Sequence, residues 1–573
     1  MSTQPTTFDG SLKTTQNKVK PLVSYFYHWE KTIPQKPYLR QPYGDTWKEY
    51  TWAEVGQEAR RMATALKSMF PPRTNIGLIS KNCAHWITAD MAISMADMVS
   101  VPFYPTLQAN QLQQVLEHSE CKALFVGKLD SWEHMKEGVP ADVQVIRFPE
   151  YPASAPITGA GFLDWDELIA KHPPQSEDFV PNVDDISTII YTSGTTGTPK
   201  GVVHTYYTQS AALDMAAPLL RLSGNDAKDA RFFSYLPLCH IAERAIVEAA
   251  SLYVGGTVSF AESLDTFAKN LAETQPTHFL AVPRIWTKFQ LGVLAKMPQK
   301  KLDTFLKIPI LSGIVKKKIR KALGLGEARL MLTGAAPMPA TLLTWYQKLG
   351  INIQEAYGMT ENAGCCTLMR ADNIRVGTIG QPYPRAEVKI IPETGELAMR
   401  GDWVMTGYYK DPEKTKEVLI DGWLHTGDMC SQDQDGFITI IGRVKDSFKS
   451  AKGEYIIPAP IEFGFAKNSF VEQVCVVGRG LPQPVALIVL SEIGLQASRD
   501  VVSASLASTL KELNMGLINY ERLQKVIIMK EAWSVENNLL TPTLKIKRNV
   551  VEDVYGEKLQ AWYDMPDTII WEA

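Results

Sequence analysis

The chain of 573 residues is short of cysteine, of net charge and of unbroken apolar sequence, and each shortage removes a class of protein. It has 7 cysteines and no Cys-x-x-Cys pair. So few thiols in so long a chain make no disulfide framework, and a reducing compartment is the simpler setting. Lys and Arg number 59 against 62 Asp and Glu, a formal charge of −3. Bulk attraction to a nucleic-acid backbone is therefore excluded. The most tempting apolar run, Trp86 to Tyr104, is broken by Asp90 and Asp97 and is not a membrane span. The start, MSTQPTTFDGSLKTTQNKVK, lacks the apolar stretch of a secretory signal. These absences lead to the expectation of a soluble, cytoplasmic protein. Repeats of fixed period and low-complexity blocks are missing too.

What is present is ordinary globular usage, 45% hydrophobic and 21% charged, with chain enough for two large lobes or three to four of about 150 residues. Thr51 to Phe70 shows helical spacing (Trp52, Val55, Ala59, Met62, Ala63, Leu66, Met69) and is ended by Pro71-Pro72. Asn75 to Ser80, Ala123 to Val126, Ile186 to Tyr191, Thr257 to Phe260, His278 to Val282 and Leu330 to Leu332 read as short buried strands among helices. That alternation predicts an α/β body of parallel, doubly covered sheets. From about 376 the texture changes to Gly, Pro and short alternating runs (Glu387 to Ile391, Gly395 to Arg400, Phe437 to Ile441), which predicts a small β-rich subdomain over 376–441. Residues 442–573 read as a smaller α+β lobe, with strands at Val474 to Gly478 and Ala486 to Leu490 and a helix around Ser503 to Leu513. The N-terminal domain is accordingly expected over 1–441.

Ser187 to Thr205 (STIIYTSGTTGTPKGVVHT) is the most informative segment. A largely β-branched run delivers the chain into Thr192-Ser193-Gly194-Thr195-Thr196-Gly197-Thr198-Pro199-Lys200-Gly201. Glycines let a backbone approach an anion closely, and hydroxyls, exposed N–H groups and the Lys200 ammonium suit phosphate oxygens. The spacing fails the Walker pattern, which disfavours a P-loop NTPase. The reading places a strand before this turn and a helix after it.

YTSGTTGTPKG resembles the phosphate-binding signature of the adenylate-forming, AMP-binding enzymes, a superfamily of acyl-CoA synthetases, luciferases and peptide-synthetase adenylation domains. Companion motifs follow in order. Glu355-Ala356-Tyr357-Gly358-Met359-Thr360-Glu361 looks like the adenine and metal segment, with Tyr357 as the stacking face and Glu361, beside Thr192, as a hard ligand for Mg²⁺. Gly334-Ala335-Ala336-Pro337 matches the turn that lines the nucleotide pocket. In WLHTGD, Asp428 matches the acid on the ribose hydroxyls. In GRVKD, Arg443 matches a nucleotide contact and Asp446 the hinge of a mobile C-terminal lobe. Lys449 to Ile456 (KSAKGEYI), with Lys449 and Gly453, resembles the CoA path, although Pro460 stands where an acid is usual. TPTLKIKR resembles the segment of the catalytic lysine. Alignment favours Lys545, with Lys547 two positions away and Leu544 in place of the usual Gly.

The resemblance implies that a carboxylate is joined to AMP from ATP and then passed to a thiol. Lys545, Glu361 and Lys200 serve as the charged catalytic groups, and no protein nucleophile is required. Leu236 to Arg244 (LPLCHIAER) resembles the corresponding segment of long-chain fatty acyl-CoA synthetases, which makes a fatty acid the substrate and CoA the acceptor. His240 is placed at the acyl pocket's mouth or in a structural role, and His204 is equally open. Cys365-Cys366 reads as wall packing. Residues 296–329 carry ten Lys/Arg against two acids, interleaved with apolar residues. This suits either a membrane-surface patch or a solvated basic insertion. Transfer to a carrier protein's phosphopantetheine, activation of an aromatic acid and nucleotide binding without turnover are the alternatives.

Overall fold

A computed structural model describes residues 19–192, 200–541 and 545–572. They form two compact units. One comprises the chain to Thr192, Lys200 to Glu387 and Met399–Leu424; the other comprises Val388–Ala398 and the residues from His425.

The first unit holds two sheets. In the eight-stranded one, Gly407–Tyr408, Lys200–Thr205, Ile186–Thr192, Val99–Phe103, Asn75–Ile79, Ala123–Val126, Gln144–Arg147 and Leu163–Asp164 lie in that order. In the nine-stranded one the central strands Gln354–Tyr357, Leu330–Thr333, His278–Leu280, Arg231–Ser234 and Thr257–Phe260 are parallel. Both sheets are mixed rather than wholly parallel, because hairpins add antiparallel strands at their edges. The expected strand His278 to Val282 ends at Leu280, since Pro283 opens the helix Pro283–Lys296.

Local sequence accounts for these elements. The helix Trp52–Met69 starts at Thr51, whose hydroxyl accepts from Glu54 N at 3.2 Å while the Glu54 carboxylate accepts from Thr51 N at 2.7 Å. It buries Trp52, Val55, Ala59, Met62, Ala63 and Leu66, the face expected from spacing. Every residue of the helix Ala84–Met95 is buried. Its one carboxylate, Asp90, meets Arg244 Nη2 at 2.7 Å, and Arg244 Nε lies 3.3 Å from Glu248 Oε2. The apolar run around Trp86 is thus a core helix, and among the described residues no helix is long and apolar enough to cross a membrane.

One expectation is overturned. No helix follows the Thr/Gly-rich turn directly. Instead Lys200–Thr205 returns as a strand antiparallel to Ile186–Thr192, with Thr192 opposite Lys200. The helix Tyr206–Ala216 begins only afterwards, capped by the Thr205 hydroxyl. Val202, Val203 and Thr205 favour the extended chain, and Gly407–Tyr408 pairs with its far side.

Glu387–Ile390, Glu396–Arg400, Trp423–Gln432 and Leu419–Ile420 form a sheet in that order, with Ile438–Arg443 added on Trp423–Gln432. This is the expected β-rich part. The second unit continues with a four-stranded sheet, Val471–Val477, Val485–Leu490, Lys525–Ile528 and Ile569–Trp571. Apolar cores cover both its faces, one built with Val551, Tyr555 and Leu559, the other with Val502, Leu506 and Leu510. These come from the helices Arg548–Asp564 and Arg499–Gly516.

Replacing Arg244 by Met leaves Asp90 and Glu248 buried without their cation, and the expected loss is about 3–5 kcal/mol. Urea denaturation of the full-length variant measures it; a stability within about 0.5 kcal/mol of the parent contradicts this account of the core.

Candidate functional site

In an open α/β sheet, ligands bind beyond the carboxyl ends of the parallel strands. Leu330–Thr333 and Gln354–Tyr357 lie side by side, Thr333 opposite Glu355, and both end at sequence-expected site residues. Gly334 and Ala335 follow the first strand. A Cβ at Gly334 would lie 2.9 Å from the Ala356 carbonyl oxygen, so only glycine allows this approach. Ala335 holds a left-handed φ of 65°. Glu355 is buried and accepts from Met338 N at 3.1 Å. Burial pushes its carboxyl up to about 7. Ala356 and Tyr357 end the second strand half-buried.

Gly358, Met359, Thr360 and Glu361 then turn tightly. Asn362 Oδ1 accepts from Met359 N at 2.8 Å, and Gly364 N donates to Met359 O at 3.0 Å. A side chain at Gly358 would meet Gly364 O at 2.1 Å. Glu361 Oε1 accepts from the Tyr408 hydroxyl at 2.7 Å, and no other described group donates to this carboxylate. Burial and the adjacent carboxylate hold the Tyr408 phenol well above its usual pKa, so it donates. Lys200 Nζ lies 5.5 Å from the centre of the Tyr408 ring. His204, on the same strand as Lys200, is fully buried, with Nε2 2.7 Å from Thr360 O and Nδ1 3.1 Å from Thr208 Oγ1. Burial lowers its pKa to about 4, so it stays neutral and donates through Nε2–H to the carbonyl. Thr192, Lys200, His204, Thr360, Glu361 and Tyr408 are thus tied into one framework in the first unit. Ser193, Gly194, Thr195, Thr196 and Gly197 lie outside the described residues.

The LPLCHIAER segment is anchored from within. Glu243 accepts from Tyr235 N at 2.9 Å and Asn82 Nδ2 at 3.3 Å, and burial raises its pKa to about 8. Asn82 also donates to Leu236 O at 2.6 Å. His240 caps the short helix Ile241–Glu243, its Nδ1 accepting from Ala242 N at 3.2 Å. Cys365 and Cys366 are buried, neither in a disulfide, and burial pushes the Cys365 thiol up to about 12.

In the second unit, Asp428 faces Arg443 across an antiparallel pair, Oδ1 3.0 Å from Nε. Asp446 lies in the turn Val444–Asp446, 3.8 Å from Arg548 Nε, while Arg548 Nη2 meets Glu462 Oε1 at 2.7 Å. Lys449 and Gly453 belong to an exposed hairpin in which Lys449 covers the Tyr455 ring at 4.8 Å and Gly453 takes φ 82°. Lys545 is exposed, its backbone tied to Thr541; Lys547 is buried, with Nζ on Asn538 Oδ1. Sequence reasoning missed Tyr408, Asn82 and Arg548. Only Gly407-Tyr408, following an alternating run, carried a local signal.

Comparison with known proteins agrees with this geometry. The family model described as AMP-binding enzyme matches residues 26–409, and its C-terminal domain model matches 445–567. The chain is 31% identical over 584 residues to long chain acyl-CoA synthetase 6, peroxisomal, of Arabidopsis thaliana, covering 90% of this chain and 82% of that one. It is 29% identical over 592 residues to long-chain-fatty-acid–CoA ligase FadD15 of Mycobacterium bovis, covering 94% and 96%. The crystal structure of the adenylation domain of a Mycobacterium chelonae carboxylate reductase superposes with a TM-score of 0.79 at 22% identity, covering 97% of this chain and 93% of that one. At that identity the likeness is one of fold.

Because the folded chain keeps the Glu355 proton up to about pH 7 and the unfolded chain releases it near 4.5, this group's contribution to stability falls as pH rises through that window. Glu355→Gln is therefore expected to gain stability relative to the parent between pH 5 and pH 8 in urea titrations. Parallel pH profiles for the two proteins contradict the assignment.

Proposed function

The chain belongs to the AMP-binding enzyme family, and from that membership we propose that it is an acid–thiol ligase acting on a fatty, long-chain carboxylic acid, ATP and CoA. The observation that carries this reading is the likeness to long-chain acyl-CoA synthetases across nine-tenths of the chain. The LPLCHIAER segment adds to it.

In the first step a carboxylate oxygen attacks the α-phosphorus of ATP, the bond to the bridging oxygen breaks, and pyrophosphate leaves an acyl-adenylate. In the second the CoA thiol, as thiolate, attacks the acyl carbon and AMP departs. The work is positioning and charge neutralisation. The Ser193–Gly197 turn and Lys200 take the β- and γ-phosphates. Gly334, Ala335 and Glu355 to Thr360 line the base, Asp428 takes the ribose hydroxyls, and Arg443 takes the nucleotide. Lys545 bridges the carboxylate and α-phosphate; its exposure, against the burial of Lys547, supports this choice.

Mg²⁺ fits the residues present. Tyr408 takes Oε1 of Glu361, and no described group donates to Oε2. No cluster of three or more His, Cys, Asp or Glu suited to a metal exists among the described residues. A cation here rests on Glu361, Thr192 and the triphosphate, as Mg²⁺ commonly does. When bound it neutralises charge on the phosphate oxygens.

For the second step the 442–573 lobe pivots at Asp446 and brings in the CoA path at Lys449 and Gly453. The Asp446–Arg548 pair supports this pivot, because Arg548 lies three residues beyond Lys545 and so links hinge and lysine segment within one unit. His240, oriented by its capping bond, stands at the mouth of the acyl pocket.

We assign residues 296–329 to contact with a membrane surface, from which a fatty acid is drawn, and the reaction to the cytoplasmic side. On the helix Pro309–Ala322, Ile310 and Ile314 are 82% and 59% exposed, and Lys317 and Lys321 continue the same stripe. At about 1.5 Å per residue, Ile310 and Lys317 are separated by roughly 10 Å along the axis. An apolar end and a cationic end therefore share one face, suited to acyl chains and anionic headgroups. Val315 and Ile319 anchor the opposite face in the core.

Pyrophosphate release measured across acids of rising chain length, with and without CoA, is expected to favour long chains and to yield acyl-CoA only with CoA. Turnover of aromatic acids alone, or only with a carrier protein, transfers the assignment to those substrates, and acid-independent signal removes it. Lys545→Ala is expected to lose at least about 10²-fold in adenylate formation, and Lys547→Ala to lose mainly stability; the reverse order sinks the choice of lysine.

Cosedimentation with phosphatidylglycerol-containing vesicles is expected to fall with salt and to drop at least about tenfold in Lys317→Glu/Lys318→Glu/Lys321→Glu, each lysine being worth about 1 kcal/mol. Equal binding to neutral vesicles, or none, refutes the membrane contact.

A further inference from the structure

Glu361 has a fixed backbone and a side chain that must be aimed. Its carbonyl accepts from Met405 N at 2.8 Å, and its turn is closed by Asn362 and Gly364. Three side-chain torsions remain, two with staggered wells and the terminal one broad. The only described donor to the carboxylate is the Tyr408 hydroxyl, at 2.7 Å on Oε1. A phenol donating to an ionised carboxylate makes a strong, charge-assisted bond. It occupies one oxygen, and among the described residues no group donates to the other.

Tyr408 is itself anchored more firmly than a packing residue needs to be. It pairs with Val202 on the strand that begins at Lys200, and its amide donates to Thr415 Oγ1 at 2.9 Å. Thr415 passes this support on by donating to Asp411 O at 2.8 Å. The preceding Gly407 allows the approach, since a Cβ there would lie 2.9 Å from Thr415 Cγ2. Only 8% of Tyr408 is exposed. Its ring receives Lys200 Nζ at 5.5 Å while its hydroxyl holds Glu361. One rigid phenol thus touches both the cation of the phosphate-binding hairpin and the candidate metal carboxylate, and sets their spacing.

We propose that Tyr408 is a positioning residue: it aims Glu361 by taking Oε1 and presenting Oε2 to the divalent cation that accompanies the triphosphate. This rests on the reading of Glu361 as a metal ligand. Outer hydrogen bonds of this kind commonly hold ligating carboxylates in place, and their removal costs about 10–100-fold in metal affinity. Tyr408→Phe removes one oxygen atom and keeps the ring, the strand pairing and the contact with Lys200.

The test uses the full-length enzyme and Mn²⁺ as probe. Mn²⁺ binding in the presence of ATP, followed by electron paramagnetic resonance, is expected to weaken about 10–100-fold in Tyr408→Phe. The Mg²⁺ concentration for half-maximal pyrophosphate release should rise by the same factor, with the plateau rate recovered at saturating Mg²⁺. ATP binding without divalent metal should match the parent. Superimposable metal titrations, or a rate loss that excess Mg²⁺ does not recover, overturn the proposal. Glu361→Ala separates the two readings. If it leaves Mn²⁺ affinity unchanged, the ligand assignment fails and takes this inference with it. If it weakens Mn²⁺ while Tyr408→Phe does not, the inference about Tyr408 alone falls. The double variant Glu361→Ala/Tyr408→Phe lacks both the phenol and the carboxylate it satisfies, so it remains informative should Tyr408→Phe fold poorly. It is expected to bind Mn²⁺ as Glu361→Ala does, and a further loss counts against coupling between the two residues.

Discussion

The antiparallel register of Ile186–Thr192 with Lys200–Thr205 is the constraint on which the candidate site depends. It fixes Thr192 opposite Lys200 and sets His204 and Val202 at defined positions further along. From there His204 reaches the Thr360 carbonyl, and Tyr408, paired with Val202, reaches Glu361. Two sequence segments more than 150 residues apart are thereby registered by one hydrogen bond from a neutral imidazole and one from a phenol. A one-residue slip of the hairpin would exchange the faces of His204 and Val203, both buried, and take His204 away from the Thr360 carbonyl. Close packing at Gly201, where a Cβ would lie 2.7 Å from Ile189 Cγ2, opposes such a slip.

Buried charge in this protein serves two purposes that burial alone does not distinguish. Arg244 pairs with both Asp90 and Glu248 inside the first unit and joins the core helix Ala84–Met95 to the LPLCHIAER segment. Glu243 is held by backbone amides and Asn82, with its carboxyl pushed up to about 8. At Glu361, among the described residues, a single phenol engages one of its oxygens. Lys545 and Lys547 differ too, two positions apart: the first residue is exposed, and the second is buried with its ammonium on Asn538 Oδ1.

Short-range patterns were readable wherever one residue type performs a local job. Spacing placed the helix after Thr51 and the buried strands Asn75–Ile79, Ala123–Val126 and Thr257–Phe260 within a residue of their observed ends. Gly358 and Gly334 stood in recognisable motifs because a turn or close approach there admits no side chain. The helix expected after the Thr/Gly-rich turn was misjudged. Its place is taken by a strand that returns on Ile186–Thr192 and is flanked on its far side by Gly407–Tyr408, some 200 residues downstream. No local window contains that second partner.

Residue chemistry and spacing along the chain sufficed for the α/β class and the family resemblance, since these reside in contiguous motifs. Folding in three dimensions was needed to separate Lys545 from Lys547, to turn Glu243 and Arg244 into core struts, and to make Tyr408 the partner of Glu361. Hydrogen bonds and burial between distant segments have no periodicity to betray them. They exist only once the sheets have brought their strands together.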